Sequence, residues 1–391
     1  MPGPLTRQLA GLLLAAFLLP ALVTSCSHRT PTPAPLSEAP GATTTAAVSA
    51  DAVCEQLAAL PLRDKLAQLV MVGVRDAADA RAVVNDHHVG GIFIGSWTEL
   101  SMLTDGSLEE IAGTDTLLPL AVSVDEEGGR VSRLSKLIGS SPSAKELAAT
   151  RSAAQVRELA AERGRKMADL GITVDFAPVV DVVDAGTDDE TVIGDRSFGS
   201  DPAKVTEYAG AYAQGLRDAG LLPVLKHFPG HGHGSGDSHT AGAVATPPLA
   251  QLQDNDLVPY RTLVTEGPVA VMLGHLEVPG LTEDPASLSP AAVSLLRTGT
   301  GYHGPAFDGL VFSDDLSSMA AITEHYGVAE AVLRSLAAGV DVALWVTTDE
   351  VPAVLDRLEQ AVAAGELKQD GIDASLARVA AVKKPGTHCH W

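Results

Sequence analysis

The sequence predicts an α/β fold, a single (β/α)8 TIM-type barrel, from three observations. Eight short, nearly continuously apolar runs follow one another after Asp51, as expected of parallel strands buried on both faces. Ala-rich segments of helical period lie between many of them and suit right-handed crossovers. Polar residues close most of the runs, and a barrel gathers such strand ends on one face, whereas an open doubly wound sheet would scatter several of them. The chain has 391 residues, 46% hydrophobic and 19% charged, a globular composition with room for a sizeable core. Lys+Arg 27 against Asp+Glu 49 gives a net charge of -22 with no dense basic cluster, which argues against nucleic acid as a partner.

Residues 1–25 read as an export segment. Arg7 precedes an apolar run of 15 residues, Leu9 to Val23, which is short of the roughly 20 needed to span a membrane. Val23-Thr24-Ser25-Cys26 resembles the lipobox of bacterial lipoproteins, which implies cleavage that leaves Cys26 at the new N-terminus for lipid attachment. The plainer alternative is an ordinary signal peptide beside a cysteine. With a lipobox, the mature protein is exported and anchored to the outer face of the cell membrane by its N-terminal lipid alone. Residues 26–50, rich in Pro, Thr, Ala and Ser, cannot bury enough apolar surface to order themselves and read as a tether.

Residues 51–391 form the folded portion. The runs are Ala67 to Val74, Val89 to Ser96, Leu118 to Asp125, Ile172 to Asp181, Leu221 to His227, Pro268 to His275, Gly309 to Asp315 and Val340 to Val346. The clearest helical segments are Ala144 to Leu170, Ala203 to Ala219, Leu249 to Glu266 and Ser317 to Ala338. After the eighth run about 45 residues remain, read as one helix and a tail, with no room for a second domain. Cys54 and Cys389 stand at the two ends, and in an oxidising compartment the even count suggests one disulfide. Two free thiols are the alternative; a metal site at His388-Cys389-His390 would lack supporting partners.

The densest chemistry lies from Lys226 to His239, with four His within 13 residues. Lys226 and His227 end the fifth run, and a Gly-rich loop follows on the face where barrel enzymes keep their active sites. Asp237 and His239 are two apart, so an extended backbone would point both side chains the same way. Glycines at 232, 234 and 236 suggest a mobile loop that closes over substrate. Asp314 and Asp315 close the seventh run: one acid is free for chemistry, and the other, more naturally Asp315, caps the segment from Ser317. Asp125, Asp181 and His275 stand at further strand ends.

Five motifs resemble glycoside hydrolase family 3 N-acetyl-β-D-glucosaminidases in order and spacing, over roughly Asp51 to Lys383. They are Lys226-His227-Phe228-Pro229-Gly230-His231-Gly232 followed by Asp237-Ser238-His239, Val124-Asp125-Glu126-Glu127-Gly128-Gly129-Arg130-Val131, Asp175-Phe176-Ala177-Pro178-Val179 with Asp181, Ile193-Gly194-Asp195-Arg196-Ser197-Phe198-Gly199, and Val311-Phe312-Ser313-Asp314-Asp315-Leu316. The resemblance implies Asp314 as nucleophile, His239 with Asp237 as acid/base dyad, and Asp125, Arg133, Arg196, Lys226 and His227 as substrate holders. A retaining glycosidase needs one group to attack the anomeric carbon and another to protonate the leaving oxygen. Imidazole, with a reference pKa of about 6.5, can both give and take that proton near neutrality. Arg196 and Asp195 also admit a structural reading as ion pairs. Two departures stand out: His231-Gly232-His233-Gly234 replaces the usual His-Gly-Asp-Thr, and Asp125-Glu126-Glu127 replaces Asp-Gln-Glu.

For an exported exoglycosidase of this kind the expected substrate is a peptidoglycan-derived GlcNAc-MurNAc fragment, cleaved by a monomer without metal or other cofactor. Three alternatives remain open in the sequence: a β-GlcNAc phosphorylase using the same site, a metal-dependent barrel hydrolase drawing on His231, His233, His239, His275 and Asp314, and a wall-binding lipoprotein without activity.

Overall fold

The computed structural model describes residues 49–113 and 116–390. The export segment and Cys26 lie outside these residues, as does most of the tether. Among the described residues no helix is long and apolar enough to cross a membrane.

Eight parallel strands form the barrel: β1 (Val70–Val74), β2 (Gly91–Ile94), β3 (Ala121–Val124), β4 (Val174–Asp175), β5 (Leu222–Phe228), β6 (Ala270–Leu273), β7 (Val311–Ser313) and β8 (Ala343–Trp345). Each pairs with its predecessor from β2 to β7, and β8 returns to β1. The last seam, between β7 and β8, closes through the single bridge Phe312–Val342, with the Val342 N–H donating to Val311 O and the Ser313 N–H to Val342 O. Seven of these strands lie inside their predicted runs, and β5 passes the end of its run, His227, by one residue, Phe228. Gly73, Phe93 and Ser123 share one level of the barrel. The rings of Phe93, Phe176 and Phe312 follow one another at centroid distances of 5.8 and 5.4 Å, so the interior is a packed core.

Several elements differ from the sequence expectation. The fourth run contributes only two strand residues, because Pro178 within it offers no N–H; pairing resumes as an isolated bridge from Val179 to Lys226. The segment 144–170 is two helices, Ala144–Thr150 and Ala153–Asp169, since Ser152 and Gln155 form a capping box that starts the second. The segment 249–266 divides into Leu249–Asp254 and Val258–Leu263, the second with Pro259 in its first turn. The segment 317–338 divides into Ala320–Thr323 and Val328–Ala338. After β8 come two helices rather than one, Val351–Ala364 and Gln369–Lys383, separated where Gly365 takes a φ of 76°. A two-stranded antiparallel hairpin, Glu126–Gly128 with Val131–Ser132, stands unannounced beyond β3.

The final helix and the tail lie at the N-terminal end of the barrel, where Lys383 Nζ donates to Gly90 O. They border a cavity of about 1280 Å³ together with residues that begin the strands, including Val70, Gly91, Ala121 and Leu222. Cys389 lines that cavity and is joined to Cys54 by a disulfide. The bridge is therefore remote from the strand ends that carry the polar residues.

Candidate active site

The C-terminal ends of the strands gather a charged network around Lys226. Its Nζ, almost fully buried at the end of β5, lies 2.6 Å from Asp125 Oδ1 and 2.6 Å from Glu127 Oε1. Burial alone would lower the lysine's pKa, but the carboxylates of Asp125 and Glu127 outweigh it and hold the ammonium charged. Glu127 also takes Arg196 in a two-pronged contact, Nε to Oε2 at 2.8 Å and Nη2 to Oε1 at 2.9 Å. Burial opposes ionisation of Glu127, yet Arg196 and Lys226 bring its pKa well below the ordinary carboxylate value. Arg196, predicted as a substrate holder, is thus built into an ion pair, while Asp195 pairs with Arg130 at 3.0 Å.

His227 is fixed by Asp181 at the base of the same network. Asp181 is fully buried; its Oδ2 lies 2.7 Å from His227 Nδ1, and its Oδ1 accepts the backbone N–H groups of His227 and His231 at 3.1 and 2.7 Å. Burial raises its pKa, but His227, His231 and these donors more than compensate, so it stays ionised. Nδ1 of His227 is the donor to that carboxylate, which leaves Nε2 toward Arg196 Nη2 at 3.4 Å.

The hairpin after β3 carries Arg133. Buried Glu126 organises it by accepting the N–H groups of Arg133 and Leu134 and the Ser132 hydroxyl, and it pairs with buried Arg163 at 2.6 Å. Glu126 thereby serves a structural purpose where the family motif commonly has Gln. Among the described residues, the Arg133 Nε is one of the buried donors without a hydrogen-bond partner.

Asp314 follows β7, with its backbone N–H donating to Leu273 O. Its Oδ1 accepts the Asp315 N–H at 2.9 Å. Burial pushes its pKa up, but His275, His227, the Asp315 N–H and His239 outweigh this and bring it to about 2. Asp315 does the capping: Oδ1 accepts from the N–H and hydroxyl of Ser317, and Oδ2 from those of Ser318. His275 Nε2 donates to Asp315 O at 2.7 Å and Nδ1 lies 2.6 Å from the Ser287 hydroxyl, while burial lowers the ring's pKa against the opposing charges of Asp314 and Asp315.

The loop after β5 brings Asp237 and His239 together, though not through extended backbone. Asp237 Oδ1 accepts the His239 backbone N–H at 2.9 Å in a side-chain turn and meets ring Nδ1 at 2.7 Å. The loop is docked: the Ala320 and Ala321 N–H groups donate to His239 O and Ser238 O, just beyond the Asp314–Asp315 pair. Gly232 serves close approach rather than freedom, since a Cβ there would lie 1.8 Å from Val182 O. His231 is buried, reaches Ser238 Oγ at 3.1 Å and is pushed down to about 4 by burial and by His227. His233 contacts buried Asp256 at 2.9 Å and holds the loop to the segment between two helices.

Glu127 and Asp256 are the residues that sequence reading missed. The i, i+2 spacing of Asp125 and Glu127 was the available signal, since it places both acids on one side of the chain at a strand end. Nothing local marks Asp256. The histidines that a metal reading would gather have separate partners, and among the described residues no group of three or more His, Cys, Asp or Glu is arranged to hold a metal ion.

The family model for the glycosyl hydrolase family 3 N-terminal domain matches residues 61–382. The chain is 65% identical over 390 residues to the Beta-hexosaminidase LpqI of Mycobacterium tuberculosis, covering 98% of each. Its structure is similar to that of a glycosyl hydrolase of the same family from Mycobacterium smegmatis, with TM-score 0.82 and 73% identity over 84% of this chain and 99% of the other. A family 3 β-N-acetylglucosaminidase from Paenibacillus gives TM-score 0.76 at 35% identity, over 83% of this chain and 62% of that one.

Proposed function

The chain belongs to glycoside hydrolase family 3 and is a β-hexosaminidase, and on that footing we propose that it is a retaining exo-β-N-acetylglucosaminidase acting on peptidoglycan-derived GlcNAc-MurNAc fragments. The reading rests above all on one observation: the Asp237–His239 pair is carried on a loop whose Ser238 and His239 carbonyls accept from Ala321 and Ala320 in the segment that follows Asp314, a half-buried carboxylate whose pKa is brought to about 2 by its surroundings.

In the proposed reaction an Asp314 oxygen attacks the anomeric carbon while the His239 Nε2–H passes its proton to the glycosidic oxygen. The C–O bond to the leaving sugar breaks, and the glycosyl group is left as an ester of Asp314. A water molecule then loses a proton to Nε2 and attacks the same carbon, releasing GlcNAc and restoring the carboxylate. Asp237 accepts the Nδ1–H throughout and holds the ring in place while Nε2 gives up its proton in the first step and recovers one in the second. Asp125, Lys226, His227 and Arg133 offer charged or polar groups to sugar hydroxyls, with Glu127 and Arg196 holding the cluster in place. The apolar leader ending at Cys26 is the basis for proposing a lipid-anchored enzyme that meets cell-wall material.

Release of nitrophenol from an aryl β-GlcNAc and from the matching β-glucoside, with EDTA present, tests the activity. Turnover of the GlcNAc compound alone, with the β-anomer of GlcNAc appearing first by NMR, is expected; an α-anomer would overturn retention, and GlcNAc-1-phosphate in phosphate buffer would replace water as acceptor. Loss of turnover in Asp314→Ala, with the fold intact by circular dichroism, is the expected result for the nucleophile. Rapid cleavage of another β-GlcNAc conjugate without action on GlcNAc-MurNAc would overturn the substrate.

A further inference from the structure

We propose that Trp97 is the platform of a second sugar subsite, stacking against the ring that leaves when β-GlcNAc is cleaved. The inference rests on the β-N-acetylglucosaminidase reading and deepens it by naming a residue that would select the aglycone.

Among the described residues only two large hydrophobic side chains are exposed, Trp97 at 45% and Leu137 at 39%. Trp97 comes three residues after β2, at the strand-end face of the barrel. Its turn is tied down: the Gly95 N–H donates to Thr98 Oγ at 2.9 Å, the Thr98 hydroxyl donates to Val74 O at 2.6 Å, and the Glu99 N–H donates to Arg75 O at 2.8 Å. The indole fills space that two glycines leave open. A Cβ on Gly73 would lie 2.8 Å from its Cζ2, and one on Gly95 would lie 2.4 Å from its Cη2. Inward, the ring meets Phe93 at a centroid distance of 5.9 Å. Trp97 is therefore a flat apolar surface, supported from beneath by backbone and an aromatic ring, with the rest of its area in water. Holding such a side chain exposed forgoes the burial that an indole would otherwise gain, and a supported ring loses little conformational freedom when a ligand covers it.

The occupant follows from position. The charged groups that suit the hydroxyls of the terminal sugar stand at or beyond β3, β4, β5 and β7, in Asp125, Asp181, Lys226 and Asp314. Trp97 lies on the other side of the barrel mouth, over Gly73 of β1 and close to Val346 beyond β8. A ring resting there is outside the charged cluster, which in an exo-acting enzyme makes it the aglycone sugar. Pyranose rings present C–H groups on one face, and the face of an indole accepts them through apolar contact.

The test compares kcat/KM for a β-GlcNAc disaccharide and for β-GlcNAc fluoride, whose leaving group is one atom and cannot touch the platform. Trp97→Ala should lower the disaccharide value about tenfold or more and leave the fluoride value within about twofold, and Trp97→Phe should recover most of the loss. Equal losses on both substrates would overturn the proposal, because the ring would then serve the GlcNAc itself or the scaffold. No change on either would overturn it as well. A wild-type enzyme inactive on both would instead sink the β-N-acetylglucosaminidase reading on which the platform depends.

Discussion

A single oxygen, Oδ1 of Asp237, meets both the backbone N–H of His239 at 2.9 Å and its ring Nδ1 at 2.7 Å. The carboxylate thereby fixes the direction of the ring and the position of its Nδ1 proton, leaving Nε2 to exchange a proton with a ligand. Few other side chains could do this from two residues away, because the contact depends on Asp237 also turning the backbone.

On the proposed roles, His239→Ala should slow hydrolysis of a natural disaccharide by about 10²- to 10⁴-fold. An aryl glycoside with a good leaving group should lose much less, since its departing oxygen barely needs protonation. Steady-state kcat/KM on the two substrates checks this, and equal losses would remove His239 from the position of the acid.

Glu127 holds two cations, buried Lys226 and partly buried Arg196. Glu127→Gln keeps the shape but leaves both without their shared counter-charge. Breaking a buried pair in this way typically costs about 3 to 5 kcal/mol. Urea denaturation should show that loss, and any folded enzyme should have a raised KM as the network loosens. A variant as stable as wild type would mean that Asp125 alone suffices for Lys226.

His233 and Asp256 pin the loop that bears the dyad. The hydrogen bond to Asp256 raises the His233 pKa above its ordinary 6.5, burial opposes this, and the charges of Asp256, Asp184 and Asp181 add to the rise. A histidine whose pKa is raised on folding contributes stability that is fully present below about pH 6.5 and is lost as pH rises through the folded value. Thermal melts of wild type and Asp256→Asn should therefore differ most on the acid side of neutrality and converge as pH rises through the folded value of His233. A gap that stays constant with pH would show that the pair is not titrating.

The Cys54–Cys389 bridge spans 335 residues of chain. Closing so long a loop contributes up to about 4 or 5 kcal/mol by restricting the unfolded chain. Cys54→Ser should lower the melting temperature and leave kcat/KM unchanged, because the bridge sits at the barrel end away from the charged network. The same shift on adding reductant to wild type, and none on adding it to Cys54→Ser, completes the check.

Much of the barrel is legible in the sequence. Strands buried on both faces write continuous apolar runs, and all eight were visible, with Asp125, Lys226, His227, Asp314 and Asp315 at or beside their ends. Helix interruptions were less visible although their signals were local: Ser152 with Gln155, Pro259 in a first turn, and Gly365 at a left-handed position were all in the sequence. At Gly232 the sequence left two readings open, because this glycine permits contact with the Val182 carbonyl and the residue type alone does not distinguish close approach from freedom.

The sequence by itself determined which elements form and which side chains stand at strand ends, because hydrophobic period and turn chemistry act over a few neighbouring residues. Only the tertiary structure decided which charges meet. Lys226 finds Asp125 101 residues away, Glu127 captures Arg196 69 residues away, and Trp97 comes to lie over Gly73 beside Val346. Those pairings depend on how the closed barrel brings distant strand ends to one rim, and no local pattern records that distance.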